Sequence, residues 1–242
     1  SELIEKMKGM EKELSAVRSA KAMASAGDLA KKAKLAGVKN FIFASSCSVY
    51  GFAENGEVTE ESDLNPLTPY AKSKRLTEQN LEELASDNFK ITCLRFSTAC
   101  GISDRLRLDL VLNDFIASAY LNNKIEILSD GTPWRPLINT IDMARAMGWA
   151  MNREGDNYLV VNVGSNEWNY QVKELARLIQ IHLPQTKIII NQNASPDKRS
   201  YKVNFDKFTK LAPEYTPQID INQTIFDLIQ GLKDFNFNDT EF

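Results

Sequence analysis

Residues 41–51 read Phe41-Ile42-Phe43-Ala44-Ser45-Ser46-Cys47-Ser48-Val49-Tyr50-Gly51, an apolar run that gives way abruptly to small hydroxyl side chains. A short apolar run of this kind, with Gly37 placed before it to close a helix, predicts a buried strand of an α/β sheet. The hydroxyls then fall at its carboxyl end, where open α/β sheets hold their ligands. A polar stretch, Phe52 to Asn65, reads as a loop. It leads to Thr68-Pro69, a threonine suited to capping a helix and a proline suited to its first position. The helix that follows, to about Ala85, opens with Tyr70-Ala71-Lys72-Ser73-Lys74. Spacing of i, i+4 puts the Tyr70 phenol and the Lys74 ammonium on one helix face.

Outward from this segment the same grammar continues. Leu3, Met7, Met10, Leu14 and Val17 form one helical stripe, fit for packing or for a dimer contact. Gly27 and Asp28 interrupt that helix, and a second short one runs through Leu35. Downstream, strands are expected at Lys90–Phe96, Lys124–Leu128, Tyr158–Val163 and Lys187–Ile190. Helices are expected at Leu110–Leu121, Ile141–Met151, around Val172, Leu175, Leu178 and Ile179, and at Ile221–Leu232. Alternating elements imply a parallel sheet flanked by helices.

Composition narrows the function classes. The 242 residues are 43% hydrophobic and carry a net charge of −3, which allows a sizeable core and gives no basic surface for nucleic acid or anionic membrane. No apolar run approaches the ~20 residues of a membrane span. Three cysteines, Cys47, Cys93 and Cys100, without C-x-x-C spacing, and a single histidine, His182, argue for reduced thiols in a cytoplasm and against a metal site.

The chemistry sits in Ser46, Tyr70 and Lys74. A tyrosine with a pKa near ~10 is a poor base, and a neighbouring ammonium is expected to lower it. Tyr70 then takes a proton from a substrate hydroxyl, with Ser46 bonded to the same oxygen. The bland alternative is a polar strand end and an exposed helix face.

The motifs Ser45-Ser46-x-x-Val49-Tyr50-Gly51 and Pro69-Tyr70-x-Lys72-Ser73-Lys74, with Leu94-Arg95-Phe96 and Asp130-Gly131-Thr132-Pro133-Trp134-Arg135, resemble the extended short-chain dehydrogenase/reductase family, specifically its nucleotide-sugar epimerases and dehydratases. The resemblance implies a partial Rossmann-like parallel sheet, residues 1–100 and about 139–165, with a smaller α/β substrate-binding domain, residues 101–138 and 166–242. It implies NAD, or NADP, as cofactor along Ala44, Ser45, Tyr70, Lys74, Phe96 and Thr98. It implies a nucleotide-diphosphate sugar held by Ser46, Ser97, Asn113, Arg135 and Arg199, in a homodimer. Arginine suits the diphosphate because its planar fork of donors matches phosphate oxygens. Arg105 and Arg107 lie where the family closes its substrate pocket, without an assigned role.

Departures from the family pattern are as informative. The dehydratases follow the catalytic hydroxyl with an Asp-Glu pair, whereas Cys47 and Ser48 stand here, so epimerisation through a transient keto sugar is expected over dehydration. A ketoreductase of the same scaffold is the neighbouring alternative. The chain has no G-x-G-x-x-G for a dinucleotide pyrophosphate. This predicts a chain short of the cofactor-binding amino-terminal part, with an open strand edge prone to association, and leaves a non-catalytic binding role as the other class of function.

Overall fold

The structure, a computed structural model, describes residues 21, 25–191, 199–235 and 237; the stripe from Leu3 to Val17 lies outside the described residues. Helix α1, described over residues 25–35, passes through Gly27 and Asp28 without a break. A helical glycine costs only about 1 kcal/mol relative to alanine, too little to stop a helix that packs. The helix stops at Gly37, with φ of +80°, where Val38 N donates to Ala33 O and Gly37 N to Lys34 O. That bond pair closes a helix through a left-handed residue, which glycine adopts without strain.

The chain continues as β1 (Asn40–Ser46), a 3₁₀ turn (Cys47–Tyr50), β2 (Phe52–Val58), α2 (Pro69–Glu82), β3 (Lys90–Phe96) and β4 (Thr98–Cys100). Next come α3 (Val111–Asn122), β5 (Lys124–Ile127), β6 (Trp134–Asn139), α4 (Thr140–Asn152), β7 (Tyr158–Val163) and β8 (Asn169–Gln171). The last elements are α5 (Val172–His182), β9 (Lys187–Ile190), β10 (Ser200–Val203), α6 (Asp206–Leu211) and α7 (Ile221–Asp234). Among the described helices none is long and apolar enough to cross a membrane.

A parallel sheet in the order β1-β3-β7 is the centre of the first layer structure. Side-chain alternation splits its two faces. Phe41, Phe43, Ile91, Cys93 and Val160 pack with Ala30 of α1 and Leu81 of α2. Ile42, Ala44, Leu94, Phe96, Val161 and Val163 face the other way, onto Ala146 and Ala150 of α4 and Phe208 of α6. β3 is therefore buried on both sides, while β1, paired on one side only among the described residues, is mostly half-buried. A second core joins α3, α5 and α7 to the parallel pair β5-β9.

Three short sheets make up the rest, and sequence periodicity misses most of their strands. β4, β6 and β8 form one, with β8 antiparallel to β6. β2 lies within the stretch that reads as a polar loop, and pairs in parallel with β10. Phe-Ala-Glu-Asn-Gly-Glu-Val shows no apolar alternation, and the pairing slips between Ser200 and Lys202, so pattern alone has nothing to register. An ion pair of Lys202 with Glu57, at 2.7 Å, ties the two strands.

The turn after β1 is tightly specified. Ser46 caps it by accepting from Ser48 N at 3.2 Å. It ends at Gly51, with φ of +66°, where a Cβ would meet Asn65 O at 1.8 Å. Only glycine fits there.

Candidate active site

α2 begins as the sequence predicts: Thr68 Oγ1 accepts from Ala71 N at 3.1 Å and Pro69 occupies the first turn. The helix lies against β1 and delivers Tyr70 and Lys74 beside the strand's carboxyl end. Lys74 Nζ donates to Ala44 O at 2.6 Å, and stands 4.8 Å from the Phe43 ring centroid and 5.3 Å from that of Tyr70. Ser46 stands at the Tyr70 hydroxyl, and its side chain pulls the phenol's pKa down. The three residues singled out from the sequence are thus brought together.

Their electrostatics differ from the sequence expectation. Burial of the hydroxyl end pushes the Tyr70 phenol above its ordinary value, although the residue as a whole is half exposed; the Ser46 hydrogen bond and the Arg107 guanidinium pull it back. The net shift is upward, opposite to the expected lowering, because burial outweighs the groups that favour the phenolate. Desolvation also lowers the Lys74 pKa, against an opposing pull from Glu78. With the Tyr70 pKa raised, the neutral phenol is the stable form at neutral pH.

Of the other residues expected along a cofactor, Ala44 lies at the Lys74 contact, while Ser45 turns inward and gives its hydroxyl to Glu78. Phe96 is buried in the core and Thr98 is half-buried at the next strand. Ser97 is buried and donates to Val163 O at 3.2 Å. Asn113 is buried with both ends of its amide engaged, accepting from Gly101 N at 3.2 Å and donating to Arg107 O at 3.0 Å. Its geometry braces the loop that carries Arg107. The exposed Arg107 forms a two-bond ion pair with Asp109, each bond 2.7 Å. Arg105 is exposed on the same loop.

Arg135 donates to Trp134 O at 2.9 Å and to Arg199 O, which sets two cationic residues together at the far end. Tyr201 is buried, its phenol pushed up by desolvation and pulled down by Arg135 and Arg199. Sequence reasoning passed over Tyr201 because β10 was read as part of no element. Trp134 walls a cavity of about 340 Å³ with Phe52, Glu57, Tyr201 and Lys202. Glu78, which continues the four-residue spacing of Tyr70 and Lys74, pairs with Arg95 behind the site, a contact the sequence reading did not single out. Cys47, next to Ser46, is fully buried and its thiol is pushed far up by desolvation, which removes it as a nucleophile. Among the described residues no cluster of three His, Cys, Asp or Glu side chains forms a metal site.

The chain is similar to known proteins in sequence and in fold. The chain is 31% identical over 173 residues to a UDP-glucose 4-epimerase of Pasteurella multocida (strain Pm70), covering 63% of this chain and 51% of the relative. The chain spans about half the length of the curated relatives it matches. In structure it superimposes on the UDP-Glc/GlcNAc 4-epimerase of Campylobacter jejuni with a TM-score of 0.72 at 24% identity, over 88% of this chain and 70% of that one. It superimposes on TunA, an NAD dependent NDP-hexosamine 5,6-dehydratase involved in tunicamycin biosynthesis, with a TM-score of 0.76 at 23% identity, over 88% and 69%. At those identities the structural likeness establishes the Rossmann-like fold. Residues 17–164, more than half of the chain, match the sequence profile of one family, and the chain belongs to it: the NAD dependent epimerase/dehydratase family.

Proposed function

We propose that this chain is the catalytic and sugar-binding part of an NAD-dependent nucleotide-sugar epimerase. The observation that carries the reading is the meeting of Ser46, Tyr70 and Lys74 at the carboxyl end of β1. The names of the curated relatives, UDP-glucose 4-epimerases, support it. In this reading Tyr70 removes the proton of a sugar hydroxyl and Ser46 bonds the same oxygen and shares the proton. Lys74, fixed on Ala44 O, offers its remaining N–H groups to the ribose hydroxyls of the nicotinamide side. NAD, when bound, supplies the acceptor and returning donor of hydride, and its positive ring favours the phenolate. Arg135 and Arg199 hold the nucleotide diphosphate.

The proposed division of labour is as follows. Residues 1–100 and about 139–165 serve the cofactor, and residues 101–138 and 166–242 the nucleotide sugar. The absence of an Asp-Glu pair after Ser46 favours epimerisation over elimination of water. Three free, buried cysteines support a reducing cytoplasm. A homodimer is supported by Leu29 and Leu35 on α1 and Leu76 on α2, which stand exposed.

Incubation of the purified protein with NAD and UDP-, dTDP- or GDP-hexoses, wild type against Tyr70→Phe, tests the reading. Interconversion of C4 epimers that disappears in the variant supports it, and steady consumption of reduced nicotinamide points instead to a ketoreductase. A second reading, a non-catalytic sugar-nucleotide binder, is favoured by the lack of a G-x-G-x-x-G sequence in the 242 residues. Tight NAD binding by this chain in a calorimetric titration would rule it out.

A further inference from the structure

Behind the site runs a buried polar chain to which the chemistry above assigns no part. Glu78, Arg95, Tyr50 and Asn162 are each almost wholly buried. Arg95 donates to both carboxylate oxygens of Glu78, Nη2 to Oε2 at 2.8 Å and Nε to Oε1 at 3.0 Å. Ser45 Oγ donates to Glu78 Oε1 at 2.5 Å. Arg95 Nη1 donates to the Tyr50 hydroxyl at 3.1 Å, which donates to Asn162 Oδ1 at 2.7 Å. Asn162 N donates to Glu60 Oε1 at 2.7 Å, and Cys47 Sγ to Arg95 O at 3.0 Å.

Everything around Ser46 is therefore tied to one ion pair. Ser45 before it is bonded to Glu78, Cys47 after it to the Arg95 backbone, and Tyr50, at the end of the turn that Ser46 caps, to the Arg95 guanidinium. Glu78 belongs to the helix that carries Tyr70 and Lys74. A buried ion pair is a poor way to gain stability, since apolar residues of like volume do as well or better. Its two-bond fork does fix one mutual geometry. We infer that Glu78 and Arg95 are positioning residues, which lock α2 against β1 and its turn so that the Ser46 hydroxyl meets the Tyr70 hydroxyl.

The inference rests on reading Ser46 and Tyr70 as a proton relay, and it is testable without turnover. The readout is the ionisation midpoint of Tyr70 in the full chain, from tyrosinate absorbance after subtracting a matched Tyr70→Phe control. Lys74, Arg107 and Tyr201, the other titratable or charged groups near the phenol, stay in place throughout. Ser46→Ala removes the bond that favours the phenolate and is expected to raise the midpoint by about one pH unit. Glu78→Gln/Arg95→Met deletes both charges of a neutral pair and is expected to raise it by most of that amount. In the Ser46→Ala background the same pair of changes is expected to add nothing, the mark of an effect that acts through Ser46.

A midpoint unchanged in Glu78→Gln/Arg95→Met, with a lowered melting temperature, would show a merely structural pair and overturn the inference. A further, additive rise in the triple variant would overturn it as well. A silent Ser46→Ala would overturn the relay reading itself, and is distinguished because neither network residue is touched. Should the double variant not fold, Ser45→Ala and Tyr50→Phe each cut one link with both charges kept. They carry the same expectation of a smaller upward shift, and two silent results there would contradict it.

Discussion

Two arginines, one behind the site and one at its surface, make the same bonds in opposite surroundings. Arg95 and Arg107 each grip a carboxylate with two N–H groups, Glu78 and Asp109 respectively, at 2.7–3.0 Å. Side-chain exposure separates them: 6% and 4% in the first pair, 56% and 65% in the second. In the interior water cannot replace a lost partner, so the Arg95 pair admits one arrangement. At the surface water and salt compete with the ion pair, and Arg107 can change partners at small cost. Under the proposed function, a site that holds a proton relay rigid while admitting a large anionic ligand has use for one of each.

The comparison breaks most visibly at the buried end. Glu78→Ala leaves Arg95 charged, buried and without its carboxylate, and is expected to cost about 3–5 kcal/mol in urea unfolding. Replacing Glu78 and Arg95 together by Met is expected to restore most of that loss, because the uncompensated charge goes too. Gly51→Ala attacks the pinned turn from its other side. A positive φ and a backbone carbonyl at 1.8 Å predict a loss of about 1–3 kcal/mol, measured the same way.

Lys74 is expected to run the other way. Its folded pKa is depressed by desolvation, so its contribution to stability is present only above its unfolded pKa and is lost as the pH falls through the folded value. At neutral pH the charged lysine therefore weakens the fold, and Lys74→Met should raise the unfolding free energy slightly, by up to about 1 kcal/mol, while removing a residue of the proposed relay. The smallest effect belongs to the exposed pair. Arg107→Ala is expected to cost under about 1 kcal/mol, and less in high salt. Asp109 is held below the usual carboxylate range by Arg107, so what the pair adds is present above the unfolded carboxyl pKa and fades as the pH falls through the folded one.

How far each region could be read from the sequence follows the same division. The α/β layer and the Ser46, Tyr70 and Lys74 set were readable because strand, capped helix and motif reinforce one another over residues 41–74. Tyr158–Val163 and Lys187–Ile190 match to the residue, since both are short, mostly apolar runs rich in β-branched residues. β2 and β10 were not readable, because their pairing is irregular and depends on Lys202 meeting Glu57 across the fold. Gly27 and Asp28 misled through local propensity, which helix packing overrides. The direction of the Tyr70 shift was missed because burial of the phenol raises it, and that burial is set by the fold rather than by the Tyr70–Lys74 spacing. Glu78 and Arg95 are far apart in sequence, and only the fold makes them a pair.

The most direct test is C4 epimerisation of a UDP-hexose by the purified protein with NAD, comparing wild type with Tyr70→Phe under one set of conditions. Turnover that falls on the order of 10²- to 10⁴-fold in the variant is the expected result. Turnover equal in both proteins, or none with any nucleotide hexose, would contradict the assignment of Ser46, Tyr70 and Lys74 as a working proton relay.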